Sequence, residues 1–250
     1  GMPLPFAKST VYQNGLRVPI LMRWPGQISP GKINSQDMVS AIDIGPTILD
    51  ILNINIPAHF EGTSFNPKTN PLSPQYVFGQ FDENAGGIPR PSRTVISKQY
   101  GYVFNAWATG QYEFKSASGS HTSYKVMKRF SETDDNIKQR FDFWKYRQID
   151  ELYDYKNDPH ALNNLVDDPN YQSVVEELRK VLKKQMQKTQ DYVLEAFSQR
   201  DNIVFLNQWM DNQIKQAKIR TKTLKWKRPQ NSSGSTKQNN KLYQKPKYTN

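Results

Sequence analysis

The spacing of apolar positions predicts one strand and one helix in the first part of the chain. LRVPILMRW (16–24) is an apolar run closed by a Pro-Gly turn, which predicts a strand, and Pro19 within it predicts a strand edge or a bulge. IDIGPTILDILNI (42–54) has apolar residues at helical spacing and Pro46 near its first turn, which predicts a helix. Four prolines within 55–74 then predict a loop and a subdomain boundary.

Short runs rich in aromatic and β-branched residues follow and predict a sheet. Gly, Pro and Asn separate most of these runs, which are QYVFGQF (75–81), SRTVISK (92–98), YVFNA (102–106) and ELYDY (151–155). Tyr100-Gly101 predicts a tight hairpin connection between the second and third runs. Residues 107–147 are polar and aromatic, and no period assigns them to helix or strand.

The clearest helical pattern lies in residues 167–191. It begins with Asp168 as a predicted N-cap and Pro169 at the first helical position. Its apolar residues repeat at three- and four-residue spacing, with charge on the other faces, and they are Val174, Val175, Leu178, Val181 and Leu182. Residues 194–228 are predicted to continue as helix, and the low-complexity run 231–240 is predicted to be flexible.

The net charge of +11 is concentrated at one end of the chain. Eleven basic residues and no acidic residue follow Asp211, which leaves 23 basic against 23 acidic residues in positions 1–211. Trp226, Tyr243 and Tyr248 interleave with these cations. That pattern suits binding to nucleic acid or to a sulfated glycan, and a solvated extension is the alternative.

Composition excludes several classes of chemistry. The chain has no cysteine, so it forms no disulfide, carries no thiolate nucleophile and has no cysteine metal site. No run approaches about 18 consecutive apolar residues, so no membrane span is predicted.

Two separated blocks carry several motifs in a fixed order. The first lies in 8–65 and contains KSTVYQNGLRVPILMRWPGQISPG, VSAIDIGPTILDILNINIP and EGTSF; the second is ELYDYKNDPHALNNLVDDPNY (151–171). VFGQFDENAGGIPRPSRTVI (77–96) falls between them. Together they resemble the sulfatase family, and within it the heparan N-sulfatase (sulfamidase) type. The chain departs from the family at Gln13 and Ala161, where the family often has Glu.

The resemblance implies an α/β fold, more closely an α+β fragment. Residues 1–74 would be the end of the alkaline-phosphatase-like α/β catalytic domain. Residues 75–200 would form a small antiparallel sheet packed by a C-terminal helix, and 201–250 a basic helical or flexible tail. The resemblance also implies a periplasmic, extracellular or lysosomal location.

The resemblance further implies hydrolysis of a sulfate ester or a sulfamate. In the family, a formylglycine made from a Cys/Ser-x-Pro/Ala-x-Arg motif attacks the sulfur, and calcium and cationic side chains balance the sulfate charge. Lys8 matches the sulfate-contacting lysine, because Tyr12, Gly15 and Arg17 fall at the family offsets. The nucleophile and metal motifs would lie upstream of residue 1, so no catalytic residue, metal ligand or cofactor is expected within this chain.

The sequence evidence for a role in binding is weaker for other polar residues. Glu83 and Asn84, in DENAGG, are candidate contacts for a sugar hydroxyl or amine, with a solvated turn as the alternative, and Arg93 is expected to be structural. PRPSR (89–93) mimics the nucleophile motif, but Pro89 stands in the nucleophile's slot and cannot be oxidised to an aldehyde. Three aspartates and three histidines lack metal-ligand spacing. They are Asp37, Asp43, Asp50, His59, His121 and His160.

Three functional hypotheses follow. The first is a C-terminal sulfatase fragment whose full-length form acts on a sulfated glycan and which is inactive alone. The second is a non-catalytic module that binds a glycan or another polyanion through the basic tail. The third is an assembly in which a separately encoded N-terminal half completes the site. None of them requires a membrane, and the resemblance favours a glycan over nucleic acid as partner.

Overall fold

The computed structural model describes residues 4–35, 37–66 and 74–226, and within them the chain forms a four-stranded antiparallel sheet with helices on both faces. The strands are β1 (Val77–Glu83), β2 (Pro89–Ile96), β3 (Tyr100–Asn105) and β4 (Asp150–Asp154), in that order across the sheet. The α-helices are α1 (Gln13–Leu16), α2 (Ile44–Ile51), α3 (Thr122–Phe130), α4 (Asp135–Tyr146), α5 (Gln172–Lys188), α6 (Leu194–Ser198) and α7 (Ile203–Trp226).

The register of the sheet decides which side chains share a face. Tyr102 lies opposite Leu152, and Val103 lies opposite Glu151. Because side chains alternate along a strand, the first pair points to one face of the sheet and the second pair to the other. Both pairs are buried, so the sheet is covered on each side. This arrangement explains why every residue of β2 is buried.

Helices α5, α6 and α7 cover the first face. Leu178, Leu182 and Met186 of α5 are buried at the predicted helical spacing, and α5 packs against β2 and β3. Phe197 of α6 packs edge-on against Phe104, with ring centroids 5.1 Å apart. Asp168 accepts a 2.9 Å hydrogen bond from the Asn170 backbone N–H ahead of α5, as the cap prediction required. The prediction of an antiparallel sheet packed by this helix is confirmed.

The N-terminal segment and α4 cover the second face. The rings of Tyr12 and Tyr153 meet at a centroid distance of 5.6 Å in an edge-on arrangement. Phe6 stacks against Phe143 of α4 with centroids 5.9 Å apart. Helix α4 belongs to the stretch 107–147, where the sequence pattern predicted neither helix nor strand. This stretch also supplies α3, which packs against α4.

The strand predicted at 16–24 does not form. Leu16 ends α1, and residues 17–24 pair with no strand in the described ranges. Val18 and Leu21 are 63% and 95% exposed, respectively. A strand needs a neighbour to satisfy its backbone groups, and the described sheet runs from β1 to β4 without reaching this segment. The prediction of a strand at 16–24 is therefore wrong for the described part of the chain.

Two further predictions concern connections. Tyr100 and Gly101 are the first two residues of β3 rather than the hairpin turn, which is closed by a 2.8 Å bond from the Ser97 N–H to the Tyr100 carbonyl. The helix predicted over 194–228 is two helices, α6 and α7, separated at 199–202. The low-complexity run 231–240 lies outside the described residues. No helix in the described part of the chain is long and apolar enough to span a bilayer.

Candidate sulfate-contacting loop and its supports

Lys8 lies on a tight loop whose backbone is unusual. Phe6 and Ser9, on either side of it, have φ angles of +63° and +61°, the left-handed region that residues with a Cβ seldom adopt. Phe6 and Ala7 are buried, whereas Lys8 is exposed. The loop therefore buries its flanks and directs one cationic side chain into solvent.

Buried hydrogen bonds hold this loop. The Ser118 hydroxyl, which is completely buried, donates to the Lys8 carbonyl at 2.9 Å. The Thr10 hydroxyl donates to the Ala7 carbonyl at 2.7 Å. Left-handed backbone at residues other than glycine persists where surrounding contacts over-determine it. Ser118 lies 110 positions away in a stretch without an assignable period, so the sequence pattern did not reveal this support.

A buried carboxylate anchors the other end of the same segment. Glu151 of β4 is fully buried and accepts hydrogen bonds from the Tyr12 hydroxyl at 2.5 Å and the Tyr153 hydroxyl at 2.8 Å. The Asn105 side-chain amide donates to its second oxygen at 2.8 Å. Burial raises the pKa of Glu151, while Arg147 and the tyrosine hydrogen bonds act in the opposite direction. This network joins the two family-like blocks of the sequence.

Arg147 packs behind this network. Its guanidinium carbon lies 4.5 Å from the ring centroid of Tyr12 and 4.7 Å from that of Phe6, within the range of cation–π attraction. Its Nε donates to the Trp144 carbonyl at 3.2 Å. The backbone at Arg147 is again left-handed, with φ +56°. Neither Glu151 nor Arg147 was predicted from the sequence to have a role. The sequence signals that could have indicated the Glu151 network were the position of Glu151 in the ELYDY run and that of Tyr12 in the Lys8 motif.

Glu83 and Asn84 lie at the end of β1 and in the turn before β2. Glu83 forms an ion pair with Arg220 of α7. The Asn84 side-chain oxygen accepts hydrogen bonds from the backbone N–H groups of Gly86 and Ile88, at 2.9 and 3.1 Å. Both side chains thus make contacts within the protein at this turn.

Arg93 is an ion-pair partner, as expected. Its guanidinium contacts Asp191 through two hydrogen bonds of 2.6 and 3.0 Å and Asp82 through an ion pair of 2.8 Å. It lies in β2 within the PRPSR run, whose residues are all buried in the sheet. Pro89, in the slot that the mimicked motif gives to the nucleophile, is the first residue of the same strand.

Asp43 and Thr47, in the run DIGPT (43–47), bind the start of α2 to residues 63–65. Asp43 accepts hydrogen bonds from the Ser40 and Thr63 backbone N–H groups, both at 2.8 Å. Thr47 accepts a 3.1 Å bond from the Phe65 N–H. Gly62 fits beside this contact because a Cβ there would lie 2.2 Å from the Ile42 carbonyl oxygen. Asp43 is thus a buried capping residue of this helical segment.

The described residues do not fit the calcium ion that the family resemblance implies. A calcium site needs six to eight oxygen ligands, commonly including several carboxylates. Within 4–35, 37–66 and 74–226, no three histidine, aspartate or glutamate side chains are grouped so that they could hold a metal ion.

Residues 18–56 expose many apolar side chains for one part of a folded chain. Ile33 is 89% exposed and Leu52 59% exposed. The other exposed apolar residues of this stretch are Val18, Ile20, Leu21, Met22, Ile42, Ile44, Ile48, Ile54 and Ile56. This apolar surface includes the side chains of the predicted strand and those of α2. Large exposed apolar patches mark interaction sites, so these side chains are candidates for contact with another part of the protein or with a partner.

Comparison with known families decides the relationship. The family model described as "N-sulphoglucosamine sulphohydrolase, C-terminal" matches residues 4–100 and 107–188. The chain belongs to this family. The match begins at the Lys8 loop and ends with α5, and it includes β1, β2, β4, Glu151 and the contacts of Asp43 and Thr47 at α2. Residues 101–106, which include most of β3, fall between its two segments. Helix α7 lies beyond it.

Individual relatives agree with this assignment. An ulvan-active sulfatase of Formosa agariphila is 30% identical over 178 residues, which cover 69% of this chain and 33% of that protein. Human N-sulphoglucosamine sulphohydrolase is 28% identical over 210 residues, 76% of this chain and 40% of that protein. An N-acetylglucosamine-6-O-sulfatase of Bacteroides thetaiotaomicron is 25% identical over 187 residues, 74% of this chain and 28% of that protein. The chain therefore spans roughly a third of the length of these relatives.

Proposed function

We propose that this chain is the C-terminal part of a sulfatase that hydrolyses a sulfate ester or a sulfamate on a sulfated glycan. The observation that carries the proposal is the match of residues 4–100 and 107–188 to the sulphohydrolase C-terminal family. The names of the relatives, among them an ulvan-active sulfatase and an N-acetylglucosamine-6-O-sulfatase, favour a glycan substrate. In the net reaction, water cleaves the S–O or S–N bond, releasing sulfate, a proton and an alcohol or amine.

In this proposal Lys8 binds a sulfate oxygen of the substrate. The exposure of its side chain and the fixed loop beneath it support that role, because a cation held in place stabilises developing negative charge without reorganisation during the reaction. Glu83 and Asn84 are the proposed sugar contacts. Asn84 keeps its amide N–H₂ available within the described part of the chain, whereas Glu83 would bind sugar while paired with Arg220.

We further propose that the chain alone is inactive and that its apolar surface over residues 18–56 packs against the part of the sulfatase that carries the nucleophile and metal ligands. Three observations support this: the sequence contains no Cys/Ser-x-Pro/Ala-x-Arg motif, the described residues group no metal ligands, and Leu21 and Ile33 are almost fully exposed. In the full protein, calcium and formylglycine would come from that other part. The apolar residues 18–22 would gain a neighbouring strand there.

The test compares the isolated chain with the chain joined to a polypeptide that carries the formylglycine motif and precedes this region in a sulfatase. We expect no turnover of an aryl sulfate or a sulfated disaccharide by the isolated chain, and turnover by the joined protein. Lys8→Gln in the joined protein should lower kcat/KM by about 100-fold, the effect of removing one oxyanion-stabilising group. Lys98→Gln, at an exposed lysine in the connection between β2 and β3 and outside the apolar surface, is the matched control and should leave turnover unchanged.

The possible results separate the parts of the proposal. Turnover by the isolated chain would contradict the need for the missing part. A joined protein that folds and carries the formylglycine, yet hydrolyses no sulfated substrate, would contradict the function itself. Normal turnover in the Lys8→Gln protein would remove Lys8 from the site while leaving the function standing.

A further inference from the structure

Helix α7 carries a lysine stripe formed by Lys215, Lys218 and Lys222. These side chains are all exposed, and their i, i+3, i+7 spacing places them on one face of the helix. The opposite face is buried through Leu206, Met210 and Ala217. Lys215 and Lys222 are seven residue steps apart, or about 10 Å along the helix. The family match ends at residue 188, so the family relationship does not account for this surface.

The helix that carries the lysine stripe is anchored to the body of the protein. The Tyr112 hydroxyl donates to the Asp211 carboxylate at 2.8 Å, and Thr109 donates to the Asn207 side chain at 2.5 Å. Trp209 stacks on Tyr192 with ring centroids 6.1 Å apart. Arg220 pairs with Glu83 at the end of β1. These contacts fix the orientation of the stripe relative to the sheet.

The charges of the lysine stripe are uncompensated. Arg220 on the same helix has its carboxylate partner, but in the described part of the chain none of the three stripe lysines forms an ion pair. The sequence contains no acidic residue after Asp211. Three like charges on one helix face repel one another, so the face gains stability when an anion with several charges lies along it.

We propose that the lysine stripe binds a stretch of sulfated glycan. This inference rests on the proposed function, because it gives the sulfatase a second contact with the polymer that carries the scissile group. The helix that carries the stripe contacts the β1–β2 turn through its other faces: Arg220 contacts Glu83, and Thr221 lies against Gly87, whose Cβ position would be 3.1 Å from the Thr221 hydroxyl. A glycan held along Lys215–Lys222 would lie on the solvent side of this helix, and the same helix contacts the turn that contains the proposed sugar contacts.

The composition of the stripe favours a glycan over other polyanions. Single-stranded nucleic acids bind to surfaces that combine cations with aromatic side chains for base stacking. The exposed apolar side chain among the three lysines is Ile219, which has no aromatic face. A membrane-surface helix needs a free apolar face opposite its lysines, and here that face is buried in the protein.

The experiment measures retention of the full chain on immobilised heparin as a function of salt concentration. The stripe variant changes Lys215, Lys218 and Lys222 to Gln. The control variant changes three exposed lysines of α5, Lys180, Lys183 and Lys184, to Gln, so that both variants lose the same charge and keep residues 227–250. We expect the stripe variant to bind at least about tenfold more weakly with a shallower salt dependence, because fewer counterions are released. The control should bind like the original chain.

Equal loss of retention in both variants would overturn the proposal, because net charge alone would then explain the binding. Unchanged retention in the stripe variant would overturn it as well. A duplex DNA probe that depends on the same three lysines as strongly as heparin does would reassign the surface to polyanions in general and contradict the glycan. Retention on heparin does not require hydrolysis, so the two proposals can fail separately. A joined enzyme without sulfatase activity would contradict the proposed function, whereas the retention experiment tests the lysine stripe.

Discussion

The Tyr12 hydroxyl lies 2.5 Å from the Glu151 carboxylate, across 139 positions of sequence. Tyr12 lies four residues after Lys8, and Glu151 is a fully buried residue of β4, the last strand in the order of the sheet. The position of the Lys8 loop relative to the sheet therefore depends on one buried carboxylate and the donors around it.

Tyr12→Phe should lower the free energy of unfolding by about 1.5–3 kcal/mol, because it removes a buried hydrogen bond to a carboxylate without creating a cavity. Urea denaturation followed by fluorescence measures the change. Tyr76→Phe is the matched control, since the Tyr76 hydroxyl donates to Glu177 at the surface, and it should change stability by no more than about 0.5 kcal/mol. Equal effects of the two substitutions would show that the buried Tyr12 hydrogen bond contributes no more to stability than the exposed Tyr76 hydrogen bond does.

Ionisation of Glu151 should make the chain less stable as pH rises, which is the opposite of the usual behaviour of a carboxylate. Burial raises the pKa of its carboxyl in the folded state above the unfolded value of about 4.3. Its contribution to stability is fully present below the unfolded pKa and is lost as pH rises through the folded pKa. Urea midpoints measured from pH 3.5 to 8 should therefore show the original chain losing stability relative to Glu151→Gln as pH rises.

Glu113 should make the stability of the chain depend on pH in the opposite direction. Its hydrogen bond from Lys145 holds the pKa of the Glu113 carboxyl below the usual value, so its contribution is present above the unfolded pKa and is lost as pH falls. Glu113→Gln should remove part of the acid destabilisation. If both substitutions shift the pH profile in the same direction, the assignment for Glu151 is wrong.

Asp191→Ala should destabilise the fold far more than Asp82→Ala. Asp191 and Arg93 are almost fully buried, and removal of Asp191 leaves the Arg93 charge without its two-bond partner, at a cost of about 3–5 kcal/mol. Asp82 is 39% exposed, so its loss should cost about 1 kcal/mol or less. Thermal and urea unfolding of the two variants provide the comparison, and a larger effect at Asp82 would contradict the predicted order.

Ser118→Ala should loosen the Lys8 loop without unfolding the sheet. The substitution removes the donor to the Lys8 carbonyl, which helps hold the left-handed residues Phe6 and Ser9. Hydrogen exchange of backbone amides in residues 4–12 should become faster, while exchange in β2 and β3 stays slow. Ser120→Ala, which removes a surface hydroxyl bonded to its own helical turn, is the control. Unchanged exchange in the loop would remove Ser118 from its support.

The sequence predicted the sheet and α5 well because their patterns depend on local burial. Leu178 and Leu182 are buried by the helical period itself, and the aromatic runs of β3 and β4 fill both covered faces. The strand at 16–24 was predicted incorrectly because an apolar run shows that a segment needs a partner without showing that the partner is present. Ser118 and Arg147 were missed because their roles depend on contacts from distant segments, which have no local period.

For the candidate site, the sequence identified Lys8 through the family motif and the turn residues through their composition. It could not show that Glu83 meets Arg220, since these residues lie 137 positions apart on elements whose packing no local pattern specifies. The capping contact of Asp43 is local, because Ser40 lies only three positions away, and a contact of this kind is open to prediction from neighbouring residues.

The link from Tyr12 to Glu151 also determines when the Lys8 loop becomes ordered during protein synthesis. Residue 12 leaves the ribosome long before residue 151, and contacts between such distant positions form late in folding. Until β4 has emerged and paired with β3, the tyrosine has no carboxylate to bind and the loop has no fixed base. The Lys8 loop is therefore fixed only when the last strand of the sheet has formed. A nascent chain that ends before β4 would contain Lys8 but would not hold it in position.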